Sequence, residues 1–502
     1  MSRRYLVQNT FVYYIRTLLS AVIAVFTSRW LLGTLGEVDF GLVSLVGSLL
    51  VFVSFLNGVL AAGACRYFAV LNDTHHIEEC RSWFNAALTI HGLAAVVLPV
   101  LGWLSGHYLI HSVLTVPQER LAAVWFGYNA SLISCSFGML TVPFSALLTA
   151  RQRFKELAVY GLSLSLITFS LAFALRYASS HRLEIYFVGV AAGSAALNVL
   201  QILRAVTCFP ECRIIPSQLW NWGRLRSLTA YSGWLVIGGS GAILRDHGSA
   251  VLINVMYGPQ ANAAYGLAST IAGQANTFAS ALITVLTPEM AKREGHGDRL
   301  AVLKLISQIN IFGTLFMLFF AVPLFFEADS LLTAWLGDPP EFAGLFCRGL
   351  LAAAACERAT AGIMVGVNAA GRIARYQASV GVVLCSTLPL GYVLMTATRS
   401  PAGLAWAFMI TSGLMLVGRL YWGSVLLGAS VKLWAKQVCL PILGALIISG
   451  TAGGMVSSSL APGLLRILAT AFASSIGLAV GAWVLILDAE QRKTLLRVVQ
   501  LR

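Results

Sequence analysis

NTFVYYIRTLLSAVIAVFTSRWLL, residues 9–32, decides what kind of protein this is. A helix needs about 20 predominantly apolar residues to cross a hydrocarbon layer, and only Arg16 and Arg29 bring charge into this run. Wound at about 100° per residue, Asn9, Tyr13, Arg16, Ser20 and Thr27 fall within about ±40° of one line. The stretch therefore predicts a membrane-crossing helix with a single polar stripe. A charge near the bilayer centre costs roughly 2.5–3.5 kcal/mol on insertion scales, so Arg16 points to a wet cavity or a partner. Arg29 projects about 200° away around the helix, near its far end. There, snorkelling to the interface, or pairing with Glu37 or Asp39, competes with a cavity role.

The same texture fills the chain. Of 502 residues, 58% are hydrophobic and 11% charged, with mean hydropathy +0.79. A soluble domain carries about 25% charge, so soluble enzymes, nucleic-acid modules and disordered scaffolds are set aside. Apolar stretches fall at 10–32, 41–64, 83–105, 120–149, 157–177, 184–205, 229–256, 261–288, 302–326, 344–367, 376–396, 402–422, 438–457 and 463–487. These are fourteen candidate spans of an all-α polytopic membrane protein. Arg3 and Arg4 precede the first, but Arg16 interrupts it and no small-residue cleavage site follows, so it reads as a span and not a cleaved signal.

Placing the N-terminus in the cytoplasm puts 24 of the 34 basic residues on the inner side, six on the outer side and four within spans. That bias supports both the count and the orientation, with both termini inside. It also accounts for the net charge of +14 without nucleic acid. The nine cysteines lie mostly in apolar runs, and only Cys208 and Cys212 are close in sequence, which favours neither a disulfide framework nor a metal site. The longest outer loop is expected at 327–343, with Glu327, Asp329, Asp338 and Glu341.

The longest inner connection, 206–228, falls between spans six and seven and reads as a linker between halves. An internal repeat agrees. Leu35-Gly36 before Phe40-Gly41-Leu42 is echoed by Tyr257-Gly258 before Tyr265-Gly266-Leu267, and Ala150-Arg151-Gln152-Arg153 by Ala369-Ala370-Gly371-Arg372. Six spans per half make the repeats parallel, related by an axis along the membrane normal, with a binding site between them. The expected organisation is a six-helix lobe at 1–205, a cytoplasmic linker at 206–228, a second six-helix lobe at 229–425, and two additional helices with a tail at 426–502.

Span seven repeats the theme of span one. Tyr231, Trp234, Gly238, Gly241, Arg245 and Ser249 share a face, and the run 238–241 suits a break or a close helix approach. Asp246 points about 100° from Arg245 and is not expected simply to neutralise it. Arg245 reads either as a fixed charge for an anionic ligand or as a helix–helix ion pair. Asp246 reads as a site for H+ or Na+ coupling or as a structural pair. Glu357 and Arg358 in span ten read as structural. No P-loop, H-E-x-x-H or nucleophile elbow occurs, and no metal or cofactor is implied. Glu37-x-Asp39 resembles the acidic pair of membrane glycosyltransferases, but its loop is too short to hold an acceptor, so the chain is not read as an enzyme.

These residues resemble the multidrug/oligosaccharidyl-lipid/polysaccharide (MOP) flippase superfamily, in particular its polysaccharide-transport branch. The likeness runs over most of the chain. It is densest from Asn9 to Tyr67, with Arg16, Thr27-Ser28-Arg29, Leu35-Gly36, Asp39-Phe40-Gly41 and the stretch around Asn57. It is dense again from Ser232-Gly233-Trp234 to Pro288, with Asn254, Tyr257-Gly258-Pro259, Asn262-Ala263-Ala264 and Gly266-Leu267-Ala268. The resemblance implies two six-helix lobes around a central cleft, and a flippase moving an undecaprenyl-diphosphate-linked oligosaccharide to the outer leaflet of the bacterial inner membrane. Some relatives add two C-terminal helices that form a groove for the lipid tail, as spans thirteen and fourteen would. Glycan polymerase or assembly partners follow from the same resemblance. Arg16, Arg245 and Arg29 become the diphosphate candidates, with Asn9, Tyr13, Ser20, Trp234 and Ser249 as polar cleft residues and Asp246 as the coupling residue. The competing expectation is a cation-coupled multidrug exporter of the same superfamily, which would want acidic residues where span one has Arg16 and Arg29.

Overall fold

Helices account for every regular element among the described residues, which in this computed structural model are 3–70, 77–151, 153–371, 374–487 and 492. Ten of these helices are long and apolar enough to cross a membrane, and a bent pair makes an eleventh. The protein is therefore a multi-pass membrane protein. The first of the ten lies within the run Arg3–Val70, and that run and Trp222–Gly295, which is not among the ten, are each two helices joined at a glycine. Resolving both at that glycine gives fourteen rods, in the order the hydropathy predicts.

The two joints are the same device. Gly36 has φ 79° and ψ 174°, and Gly258 has φ 80° and ψ −177°. That corner of backbone space is essentially reserved for glycine. The chain leaves one helix and enters the next with almost no loop, which is possible only where a Cβ is absent. Gly36 and Gly258 are also the residues matched by the internal repeat, so the repeat extends to backbone geometry.

The chain forms two compact units, 1–263 and 264–502. In the first, spans two, three, four and six share a core of Leu42, Leu45, Ala95, Val124, Met139 and Phe187. Span seven belongs to this unit and does not part from it at residue 228. Asn254 Nδ2 donates to the Thr115 carbonyl at 3.3 Å, its Oδ1 accepts the Thr115 N–H at 3.0 Å, and Asn262 donates to the Gly41 carbonyl at 3.0 Å. Amides in this unit thus bind backbone groups of neighbouring spans and of the loop at Thr115. A Cβ at Gly41 would stand 1.9 Å from the Pro259 carbonyl oxygen, so only glycine allows that approach.

In the second unit, the run Arg299–Leu336 is two helices joined at Glu327, the residue at which the outer loop was expected to start. Glu327 stands at that break, with φ −108° and ψ 15°, and is 2% exposed. Its carboxylate takes Arg466 Nε at 3.0 Å and Nη2 at 2.9 Å, and the Thr470 hydroxyl at 3.0 Å. This locks span fourteen to span nine. Spans thirteen and fourteen pack on small residues, with Gly477 against Ser449 and Gly481 against Ala445, the close approach that membrane helices use in place of hydrophobic collapse.

Candidate functional site

The stripe on span one is turned toward span five. Arg16 is half-buried, and its guanidinium occupies the space a side chain on Gly161 would need: a Cβ there would stand 2.3 Å from Nη2. One turn on, the Ser165 hydroxyl donates to Ser20 Oγ at 3.4 Å. The Thr27 hydroxyl bonds back to the Ile23 carbonyl at 2.8 Å. Span five thus offers a glycine, then a serine, opposite the arginine and serine of span one. Asn9 and Tyr13, the remaining stripe residues, have side chains outside the described set, as does Asn57.

Arg29 is exposed, beside Trp30, whose ring lies 4.7 Å from Phe169 and 4.9 Å from Phe173. Asp39, expected as its partner, goes elsewhere: 5% exposed, it takes Arg120 Nε at 2.9 Å. A buried carboxylate held by a guanidinium serves the packing of the helices it joins.

Span seven departs from expectation at its charged centre. Arg245 Nε reaches Asp246 Oδ1 at 2.7 Å, with the arginine side chain 12% exposed and the carboxylate 48%. The 100° between their Cβ directions did not prevent this, since a guanidinium on a long flexible stem can fold back across a helix face. The Arg245 charge is therefore balanced by its neighbour. The helix stays unbroken through 238–241, and Gly239 gives a close approach, since a Cβ there would stand 2.7 Å from the Phe55 ring. Ser249 is fully buried. The Trp234 side chain lies outside the described residues.

The second unit contains polar machinery that the sequence showed only in outline. Span ten is broken, Ala343–Arg358 and Ala361–Ala370 meeting at 47°. Asn310 of span nine fills the break, its Oδ1 accepting the Gly362 N–H at 2.7 Å. Beside it, Arg358 Nε donates to Asn276 Oδ1 at 2.9 Å, and Ser412 donates to the Glu357 carboxylate at 2.9 Å. Glu357 and Arg358 are held by neighbouring helices, as the sequence suggested. Arg419, counted among the inner-side charges, is instead 7% exposed, with Nη1 on the Glu357 carbonyl at 3.0 Å. Its position near the end of span twelve hid that role.

Spans nine, ten, twelve and thirteen also line a half-open hollow of about 540 Å³ in this unit. Its walls include Leu318, Val322, Phe326, Trp434, Ile442 and Leu446. Almost nothing polar faces it, so its natural occupant is a hydrocarbon group.

No protein-family profile and no curated protein sequence matches this chain. Solved structures do. One is the lipid II flippase MurJ in an inward closed conformation, with TM-score 0.65 and 12% identity over 95% of this chain and 99% of that one. A second is an inward-facing multidrug resistance MATE family transporter of the MOP superfamily, with TM-score 0.63 and 12% identity over 84% of this chain and 98% of that one. The MATE multidrug transporter DinF-BH gives TM-score 0.60 and 14% identity over 86% of this chain and 98% of that one. The chain shares its fold with these transporters. Flippase and exporter share it, so substrate must be argued from this chain's own residues.

Proposed function

We propose that the protein is a flippase that carries a polyprenyl-diphosphate-linked oligosaccharide from the cytoplasmic to the outer leaflet of a bacterial inner membrane, for cell-surface polysaccharide, by alternating access. The observation that carries this reading is the apolar hollow of about 540 Å³ walled partly by span thirteen. A prenyl tail needs a greasy recess, and span thirteen, the first of the two C-terminal spans, supplies one wall of this one. The MurJ match extends over 95% of the chain, against 84% and 86% for the two MATE structures, in keeping with a tail-binding addition.

In this reading Arg16, Arg29 and Arg245 receive the diphosphate, which brings about two negative charges to permanently charged, bidentate donors. Asn9, Tyr13, Ser20 and Trp234 line the path of the glycan. Asp246 supplies the coupling: taking up H+ or Na+ weakens its hold on Arg245 and frees that guanidinium for the headgroup, and release reverses the exchange. A multidrug exporter is the second reading, favoured by the MATE likeness. Against it, both charges within span one are cationic.

Depletion of the protein followed by leaflet-resolved analysis of lipid-linked sugars tests the reading. Intermediates should accumulate on the cytoplasmic side, and Arg16→Ala or Arg245→Ala protein, expressed at normal level, should fail to clear them. Unchanged sidedness with altered dye efflux would replace the flippase with the exporter.

A further inference from the structure

The connection between spans six and seven is not a loose tether. Residues Pro210–Cys212 and Pro216–Leu219 form short helices, and the segment is fastened to span three along three turns. Arg81 Nε and Nη2 both donate to the Pro210 carbonyl, at 3.3 and 3.2 Å. Asn85, fully buried, donates to the Arg213 carbonyl at 3.1 Å and accepts the Ile215 N–H at 2.8 Å. The Thr89 hydroxyl donates to the Leu219 carbonyl at 2.7 Å. Glu211, 3% exposed, is clasped by Arg151 of span four, and burial pushes the Cys212 thiol up to about 12, so it stays protonated and inert. The far end is pinned by Arg224 over the Trp83 ring at 5.3 Å, with Tyr67 stacked on Trp83 at 4.0 Å.

What this rigid strap presents outward is specific. Ile214, Trp220 and Trp222 are 57%, 67% and 75% exposed. Arg213 and Arg226 are exposed alongside them, and no acidic residue occurs from 212 to 245. Elsewhere near the span ends, Arg81, Arg151, Arg153, Arg204, Arg293 and Arg299 each have a carboxylate within the chain. Among the described residues, Arg213, Arg224 and Arg226 have none. Exposed tryptophans at span ends mark the depth of the headgroups, and basic side chains at that depth favour anionic lipid.

We infer that residues 209–226 form a preorganised platform that binds anionic phospholipid headgroups of the leaflet in which it lies, with Trp220 and Trp222 inserted at the interface and Arg213 and Arg226 on the phosphates. The inference is independent of the transported substrate. The platform fixes the first unit against the bilayer surface, since its backbone is bonded to span three and cannot yield separately.

Full-length protein in phosphatidylcholine nanodiscs doped with brominated phosphatidylglycerol, or with brominated phosphatidylcholine at the same content, gives the test by tryptophan quenching. Phosphatidylglycerol should quench more, and the excess should vanish in Trp220→Phe/Trp222→Phe. Arg213→Gln/Arg226→Gln should weaken phosphatidylglycerol binding on the order of tenfold. Both arginine side chains are exposed, so the variant should fold, and size-exclusion and circular dichroism check that it does. Should it fail to fold, raising the salt on wild-type protein must shrink the excess in its place. Equal quenching by the two lipids, or an excess indifferent to the arginines and to salt, would overturn the proposal. So would strap tryptophans quenched by aqueous iodide whatever the lipid, the outcome expected of a protein-docking face.

Discussion

Arg16 is accommodated because Gly161 has no side chain. A guanidinium in a membrane helix needs both room and a polar neighbour, and span five provides the room at Gly161 and the hydroxyl at Ser165 one turn further. Gly161→Leu should therefore act on Arg16 without touching its charge. Because the displaced atoms are the far end of a flexible side chain, expression should hold near wild type while transport falls toward the Arg16→Ala level, read by leaflet-resolved analysis of lipid-linked sugars. Normal transport in Gly161→Leu would show that the observed placement of Arg16 is not the working one. The pairing of Arg245 with Asp246 teaches a related lesson about reach. Angular position on a helix wheel locates a Cβ, and a four-atom stem then carries the charge well away from it.

At the scale of single helices, the spans were legible because crossing a bilayer demands apolar length, and that demand is written continuously along the chain. Glycines 36 and 258 were legible as repeat markers, although nothing local announced their backbone angles. Gly36→Ala and Gly258→Ala should each cost about 1–3 kcal/mol, the strain of a side chain in that region, seen as lower melting temperature in detergent, with the double variant losing more than either. What stayed hidden were partners distant in sequence. Glu327 was placed at the start of a loop, where the helix does break, but its burial was hidden because the arginine that holds it is 139 residues away. Removing one member of such a pair strands the other. Glu327→Gln or Arg466→Met should destabilise by roughly 3–5 kcal/mol, while Glu327→Leu/Arg466→Met should recover much of it. A double variant no more stable than the singles would remove the ion pair as the cause.

For the whole molecule, composition and basic-residue placement gave membrane class, and the resemblance gave the MOP fold that the solved structures share. The hollow in the second unit was not legible, since Leu, Val and Phe in a span read alike whether they face lipid, a neighbour or a cavity. Its role is open to a steric test. Ala352 lines it, and Ala352→Phe should leave folding intact because the space exists to receive the ring. Transport of a prenyl-linked substrate should drop severalfold, whereas a short-chain prenyl analogue should be less affected. Equal loss for both chain lengths would disconnect the hollow from the tail.

The matched turns at Gly36 and Gly258 carry a historical consequence. A conformation that penalises every residue but glycine, found at the matched positions of both halves, points to a shared ancestor that already had it. That ancestor would have been a half-length polypeptide with an even number of crossings, always inserting the same way up and free to pair with a second copy. The segment fastened down between residues 209 and 221 would then be the seam left by the fusion of two genes.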